Sequence, residues 1–260
     1  MSLSHQPDLA SIKVKLDRAK EHLEEVIAID KRFSDVQCDL VYTEDHKKGI
    51  GYFVVALPKT PIELSAIVGD CLHNLRSALD YLVWQLVLSN PPSQPNRRNM
   101  FPICGTPKDF ESQVKGKRLA GVHREAIKII ESLQPYNNPD HPLALLDSLY
   151  NADKHRDLNY TLSVASDLQV SFSRNGNIYL QLILGNDEVR DGAILGNVAM
   201  RLNKNIPVPD VQIDGQAIAF VAFKDYGNDD ALGVVATLSE IKDFIVDTVM
   251  ESLVTFVKQV

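Results

Sequence analysis

Cysteine is scarce in this chain of 260 residues, and the three that occur, Cys38, Cys71 and Cys104, lie far apart without a CxxC pair. An odd and widely spaced set excludes a disulfide framework and predicts free thiols in a reducing compartment. No stretch reaches the roughly 18 apolar residues of a membrane span, and the N-terminus lacks the basic flank and apolar run of a secretory signal. The sequence therefore predicts a cytoplasmic protein without a membrane partner.

The familiar catalytic motifs are also missing. The sequence contains no GxxxxGK[ST] phosphate loop, no GxGxxG turn, no GxSxG elbow and no HExxH helix. These absences disfavour nucleotide hydrolysis, dinucleotide redox chemistry, serine hydrolysis and zincin activity. We expect no cofactor.

Charge is weakly acidic overall but uneven along the chain. The net charge of −7 excludes a protein whose whole surface wraps nucleic acid, and we expect no DNA partner. Residues 97–128 nevertheless hold eight basic side chains against three acidic ones. The basic side chains are Arg97, Arg98, Lys108, Lys115, Lys117, Arg118, Arg124 and Lys128. This segment is either a solvated surface or a local contact for phosphate or RNA.

Apolar residues recur at helical spacing in the first part of the chain and alternate in the second. The predicted helices cover 9–33, 62–89, 107–114, 123–133 and a segment that begins near Pro142. A hairpin is predicted at 36–56, and strands follow residue 158, with a turn at Asn175-Gly176. A capping box at 237–240 predicts a last helix.

Helices gathered before strands indicate an α+β fold, in which a helical bundle packs with an antiparallel β-sheet. We expect a mainly helical part at 1–157, a β part at 158–236 and a C-terminal helix at 237–260 that packs back on the core. These parts are predicted to form one compact unit.

One side of the predicted helix at 62–89 is polar and aromatic. This side carries Asp70, His73, Asn74, Ser77, Asp80, Tyr81 and Trp84. Asp, Asn, Ser and His are mediocre helix formers, so their presence on one face predicts a half-buried polar seam. The seam is either a hydrogen-bonded helix interface, with Arg76 and Asp80 as an ion pair, or a functional site.

A second polar run, at 151–157, ends the helix that starts near Pro142. Basic residues at a helix C-terminus complement the helix dipole, so simple helix termination is one interpretation. In the other, His155 is a general acid or base whose tautomer is fixed by Asp153 or Asn151, since histidine titrates near neutral pH. The proximity of the two polar stretches in space is a hypothesis.

Four motifs in 60–160 resemble those of a group of uncharacterised bacterial proteins. They are HNLRSALD at 73–80, FPI at 101–103, LQPY at 133–136 and NADKHR at 151–156. In that group the position of Tyr81 is often histidine. The group then has an arginine, at the position of Arg76, and a histidine on one helix with four residues between them. This pattern is similar to the active motif of HEPN domains, helical bundles that act as metal-independent endoribonucleases in bacterial defence, usually as dimers.

The resemblance implies that Arg76 binds or polarises a scissile phosphate, with Asp80, Tyr81 and His155 as further catalytic residues. Tyr81 departs from the pattern, because a phenol is a weak base at pH 7. Either His155 or His73 supplies that function, or the protein binds RNA without cutting it. The candidate substrate-binding residues are His73, Asn74, Asn151, Asp153, Lys154, Arg156, Arg97 and Arg98. RNA and a second copy of the chain are the candidate partners.

Two other functions stay open at this point. The first is a non-enzymatic interaction module whose polar seam is structural. The second is a metal-dependent hydrolase that uses Asp70, His73, Asp153 and His155 as a mixed nitrogen and oxygen ligand set. The spacing permits such a set without requiring it, so no metal ligand is assigned.

Overall fold

The computed structural model combines α-helices with antiparallel β-sheets, as the sequence predicts. It describes residues 7–33, 39–48, 50–138, 141–155, 158, 160–166, 168–174, 177–184, 189–190, 200–201, 210–214, 217–223 and 232–257. The predicted turn at Asn175-Gly176 and the candidate residue Arg156 lie outside these ranges. Among the described residues, no helix is both long and apolar enough to cross a membrane.

The helices lie close to their predicted positions. Their bounds are α1 Ala10–Asp30, α2 Glu63–Leu88, α3 Pro107–Lys115, α4 Arg124–Ser132, α5 Pro142–His155 and α6 Val234–Asp243. Helix α6 continues through a π-helical segment, Phe244–Met250, into α7, Glu251–Leu253, and a 3₁₀ turn, Val254–Phe256. A further 3₁₀ turn spans Pro135–Asn137.

The first of two compact units is helical and comprises Met1–Val26, Ser65–Leu158 and Val235–Val260. Its centre is α2, in which six of the seven leucines are almost completely buried because they fall on one face of the helix. The Cys71 thiol of α2 donates to the Ala19 carbonyl of α1 at 3.3 Å. Most of α1 and α2 and nearly all of the C-terminal helical segment belong to this unit, whereas the end of α1, from Ile27, belongs to the second.

The last helix begins earlier than its sequence indicates. It starts at Val234, directly after a short strand, so Thr237 lies within the helix and is not its N-terminal cap. Thr237 is buried, and Ser239 Oγ donates to the Val235 carbonyl within the helix. The prediction of a capping box here is wrong because the chain enters the helix straight from the sheet.

The second compact unit comprises Ile27–Leu64 and Asn159–Val234. Its strands are β1 Asp39–Asp45, β2 Ile50–Ala56, β3 Tyr160–Ser166, β4 Leu168–Arg174, β5 Asn177–Leu184, β6 Val189–Arg190, β7 Met200–Arg201, β8 Asp210–Asp214, β9 Ala217–Phe223 and β10 Leu232–Gly233. The hairpin β1–β2 pairs through β2 with β7, so it clusters with the later strands and not with the helices that flank it.

The described strands form three antiparallel sheets rather than the single sheet that the sequence suggests. Their orders are β1-β2-β7, β10-β9-β3-β6 and β5-β4-β8. The consecutive strands β3 and β4 take different partners, which divides the β part. Asp30, near the end of α1, accepts a 2.6 Å hydrogen bond from the Val221 amide of β9.

Candidate functional site

The polar and aromatic side of α2 borders two clefts within the helical unit. The first, which we call the aromatic cleft, has a volume of about 560 Å³ and is lined by Ser11, Asp80, Tyr81, Trp84, Gln85, Asn99 and Met100. The second, the polar cleft, has a volume of about 310 Å³ and is lined by Ala66, Gly69, Asp70, His73, Tyr150, Asp153 and Lys154. The two polar stretches of the sequence therefore do meet in space, across the polar cleft.

Two exposed aromatic side chains dominate the aromatic cleft. Tyr81 is 41% exposed and Trp84 is 38% exposed, which is high for rings of this size. The ammonium of Lys15, on α1, lies 5.9 Å from the centre of the Tyr81 ring and donates to Asn74 Oδ1 at 3.2 Å. The cleft thus combines two exposed aromatic rings with a cation over one of them.

The wall of this cleft is held by Arg76, which is only 8% exposed. Its Nη2 donates to the Phe101 carbonyl at 2.7 Å and lies 3.2 Å from Asp80 Oδ1. The same carboxylate oxygen accepts a 2.9 Å hydrogen bond from the Phe101 amide. Arg76 and Asp80 therefore clamp both backbone polar groups of a buried phenylalanine, and neither cleft is lined by Arg76.

Asp80 combines burial with partial access to the cleft. Burial raises the pKa of its carboxyl above the ordinary value, and this effect outweighs the opposing influence of Arg76 and the Phe101 amide. Arg118 and Lys154 also favour the charged form of this carboxyl, and they do so less than Arg76 and the Phe101 amide do.

The basic segment reaches the rim of the aromatic cleft through its backbone. The Met100 amide donates to the Arg118 carbonyl, and the Asn99 side chain donates to the carbonyls of Arg118 and Ala120. Residues 96–100 therefore lie beside residues 117–120. These two stretches carry the exposed Arg97, Arg98 and Lys117 and the half-buried Arg118, which we call the basic rim. Arg97 and Arg98 directly precede the cleft residues Asn99 and Met100, but none of the four lines the cleft itself.

The polar cleft lies where α5 crosses α2. A Cβ added to Gly69 would lie only 2.7 Å from Asp153 Oδ1, so glycine lets that carboxylate rest against the α2 backbone. Lys154 Nζ lies 3.8 Å from the centre of the Tyr150 ring, and the His73 and Tyr150 ring centres are 6.2 Å apart. The exposed imidazole of His73 has its Nε2 3.4 Å from the Ser77 hydroxyl.

No protein-family model, no curated protein and no solved structure matches this chain. The function therefore has to be argued from these contacts.

The remaining candidate residues are spread around the two clefts. Asn74 is buried, donates to the Asp70 carbonyl of its own helix and accepts from Lys15 of α1, and the second contact places it in the interface between α1 and α2. Asn151 bonds the Asp147 carboxylate of its own helix at 3.0 Å. His155, at the end of α5, is exposed and lines neither cleft. The catalytic assignments of Arg76, Asp80, Tyr81 and His155 stay predictions.

Metal ligation has no geometric support in the described part of the chain. Asp70, His73 and Asp153 line one cleft, but no group of three or more His, Cys, Asp or Glu side chains there could hold a metal ion. The mixed ligand set considered from the sequence is therefore not assembled by the described residues.

Several site residues give no signal in the sequence. Lys15 and Tyr150 reach the α2 face from other helices, and Met100 reaches it from the connection that follows α2. Gly69 precedes the motif at 70–81 by one residue and resembles an ordinary helix position until Asp153 is seen against it. Only the contacts between segments distant in sequence identify these four.

Proposed function

We propose that the chain binds single-stranded RNA, with bases stacked on Tyr81 and Trp84 and phosphates held by the basic rim of the aromatic cleft. The observation that carries this proposal is the pair of exposed rings in a cleft of about 560 Å³. Stacking of a base on an aromatic side chain contributes about 1–3 kcal/mol and suits any base, because every base has a π face.

Charge supports an anionic ligand at this rim. Arg97, Arg98 and Lys117 are exposed and form no ion pair with the described residues, whereas Lys115 pairs with Glu111 at 3.5 Å. In a chain of net charge −7, cations that form no ion pair with the described residues and lie next in sequence to the cleft residues Asn99 and Met100 favour a local polyanion site over a general basic surface.

The resemblance to HEPN-like bundles is in keeping with RNA as the ligand, and metal-independent cleavage is the enzymatic form of the same proposal. Attack of a ribose 2′-OH on the adjacent phosphate would need a cation at the developing charge. Arg76 Nη1 has no hydrogen-bond partner among the described residues, but the guanidinium is buried against Phe101. This burial favours binding as the primary function, with Arg76 as a positioning residue.

The single tryptophan of the chain makes the proposal directly testable, because Trp84 alone reports the aromatic cleft by its fluorescence. We expect a single-stranded oligouridine RNA of ten nucleotides to quench this fluorescence in a saturable way. With labelled RNA and anisotropy detection, Trp84→Ala and Tyr81→Ala should each weaken binding by about 10-fold. The control is Ile62→Ala, which removes an even more exposed apolar side chain that lines neither cleft.

Salt dependence tests the basic rim separately. Arg97→Ala and Arg98→Ala should each lower the slope of log affinity against log salt by about 0.7, the value for one phosphate contact to a single strand. Lys115→Ala, which removes a lysine already paired with Glu111, should leave the slope unchanged.

Absence of any Trp84 response at high RNA concentration, with folded protein, would overturn the proposal. Binding of a peptide at the same cleft would favour the interaction module instead. Shortening of the RNA during the titration, without added metal, would show cleavage.

A further inference from the structure

We infer that the polar cleft binds a ribose of the same RNA strand. The ribose 2′-hydroxyl donates a hydrogen bond to the Asp70 carboxylate, and this contact makes the site prefer RNA over DNA. This inference rests on the proposed function, since it concerns the continuation of a strand anchored at the aromatic cleft. It assigns a ligand to a cleft that the proposed stacking site does not use.

The two clefts lie in line on one helix. His73 and Trp84 are eleven positions apart on α2, a separation of about 16 Å along the helix axis at 1.5 Å per residue. Ser77, half-buried and polar, lies between them, and Lys15 reaches both Asn74 and the Tyr81 ring. A strand that stacks on Trp84 and Tyr81 therefore meets a cation and then the polar cleft.

The chemistry of the polar cleft fits a sugar hydroxyl better than a phosphate. Its wall includes the carboxylates of Asp70 and Asp153 together with the ammonium of Lys154. Carboxylates repel phosphate and accept hydrogen bonds from hydroxyl groups, as an acidic residue does when it binds a ribose in dinucleotide sites. The 2′-hydroxyl is the group by which a protein distinguishes RNA from DNA.

Asp70 is the better acceptor of the two carboxylates. It is exposed, and its side chain has no hydrogen bond or ion pair with the described residues. Asp153 is held against the backbone of α2 at Gly69, which fixes one wall of the cleft. The Tyr150 ring and the His73 imidazole form the apolar and polar faces on which the sugar would rest.

The test compares labelled oligouridine and oligodeoxyuridine of equal length, so that only the sugar differs. We expect the wild type to prefer RNA by about 10-fold, the effect of one charge-assisted hydrogen bond. Asp70→Ala should remove most of this preference by weakening RNA binding alone, and DNA binding should stay unchanged or become tighter. RNA with 2′-O-methyl groups, which cannot donate, should bind like DNA.

Two controls keep the outcomes distinct. Glu63→Ala removes an exposed acid in the first turn of α2 and should leave the preference intact. Trp84→Ala should weaken RNA and DNA binding equally.

If Asp70→Ala keeps the full preference for RNA, or if the wild type has no such preference, the inference fails although binding stands. If neither oligonucleotide binds the wild type, the proposed function fails as well. Thermal melting confirms that each variant is folded.

Discussion

Replacement of Arg76 by alanine separates a structural role from a ligand-binding one. The guanidinium is 8% exposed and bonds the Phe101 carbonyl, and its partner Asp80 bonds the Phe101 amide. Removing one member of a buried ion pair costs about 3–5 kcal/mol, because the other charge is left without compensation. The Asp80 side chain keeps 24% exposure, so we expect a loss near the lower end, about 3 kcal/mol.

Urea denaturation followed by Trp84 fluorescence and by circular dichroism measures this loss. Arg124→Ala, which removes an exposed arginine from α4, is the matched control and should change stability by less than about 0.5 kcal/mol. The double variant Arg76→Ala/Asp80→Ala should lose less than the sum of the two single variants, by about 1–2 kcal/mol, because no unpaired carboxylate remains.

The pH dependence provides a further check. Burial already raises the pKa of Asp80, and loss of Arg76 removes an influence that lowers it. The folded-state pKa therefore rises further above the unfolded value, and the folded variant binds a proton more readily than the unfolded chain does. The stability deficit of Arg76→Ala should be smallest below the unfolded pKa and should grow as pH rises through the folded pKa. Unchanged stability combined with abolished RNA binding would refute this reasoning and assign Arg76 to the ligand.

Three further predictions concern the helical unit. Gln134→Ala should cost about 3 kcal/mol in urea denaturation, because this fully buried amide makes three hydrogen bonds and its loss leaves an N–H and two carbonyls without partners. Gly121→Ala should destabilise the fold by about 1–3 kcal/mol, because the residue has φ +88° and an added Cβ would lie 2.9 Å from the Val87 side chain of α2. Gly105→Ala is the control and should be near neutral, because an added Cβ there has nothing within 4 Å. Cys71 and Cys104, whose pKa values burial raises to about 12 and about 11, should resist a thiol reagent at pH 8 until the protein is unfolded, as mass mapping would show.

The helices follow from local information in the sequence. The spacing of apolar residues gives the course of α1 and α2, and the polar side of α2 predicts which face carries the clefts. His123, the residue before α4, accepts from the Glu125 amide, a contact between near neighbours at a position where histidine is not among the preferred residues. Local signals of this kind depend on residues a few positions apart.

The sheets and the site depend on pairings that local signals do not contain. Strands β8 and β9 are separated by two residues in sequence yet belong to different sheets, because their registers are set by β4 and β3. The Phe101 carbonyl lies 25 positions from Arg76, and nothing near Arg76 in the sequence names it as a partner. The motif at 73–80 suggests that Arg76 binds a phosphate, but in the structure its guanidinium bonds the backbone carbonyl of Phe101.

The helical unit is assembled from three separated stretches of chain, and this order has a consequence for synthesis. Its last stretch, Val235–Val260, supplies the fully buried Ile241, Ile245, Val249 and Leu253. A ribosome releases these residues after all the others of the unit, so the apolar face that they cover stays open until translation reaches them. While the earlier stretches of the unit are synthesised, the nascent chain therefore exposes this apolar face, and chaperone binding should fall once Val235–Val260 emerges.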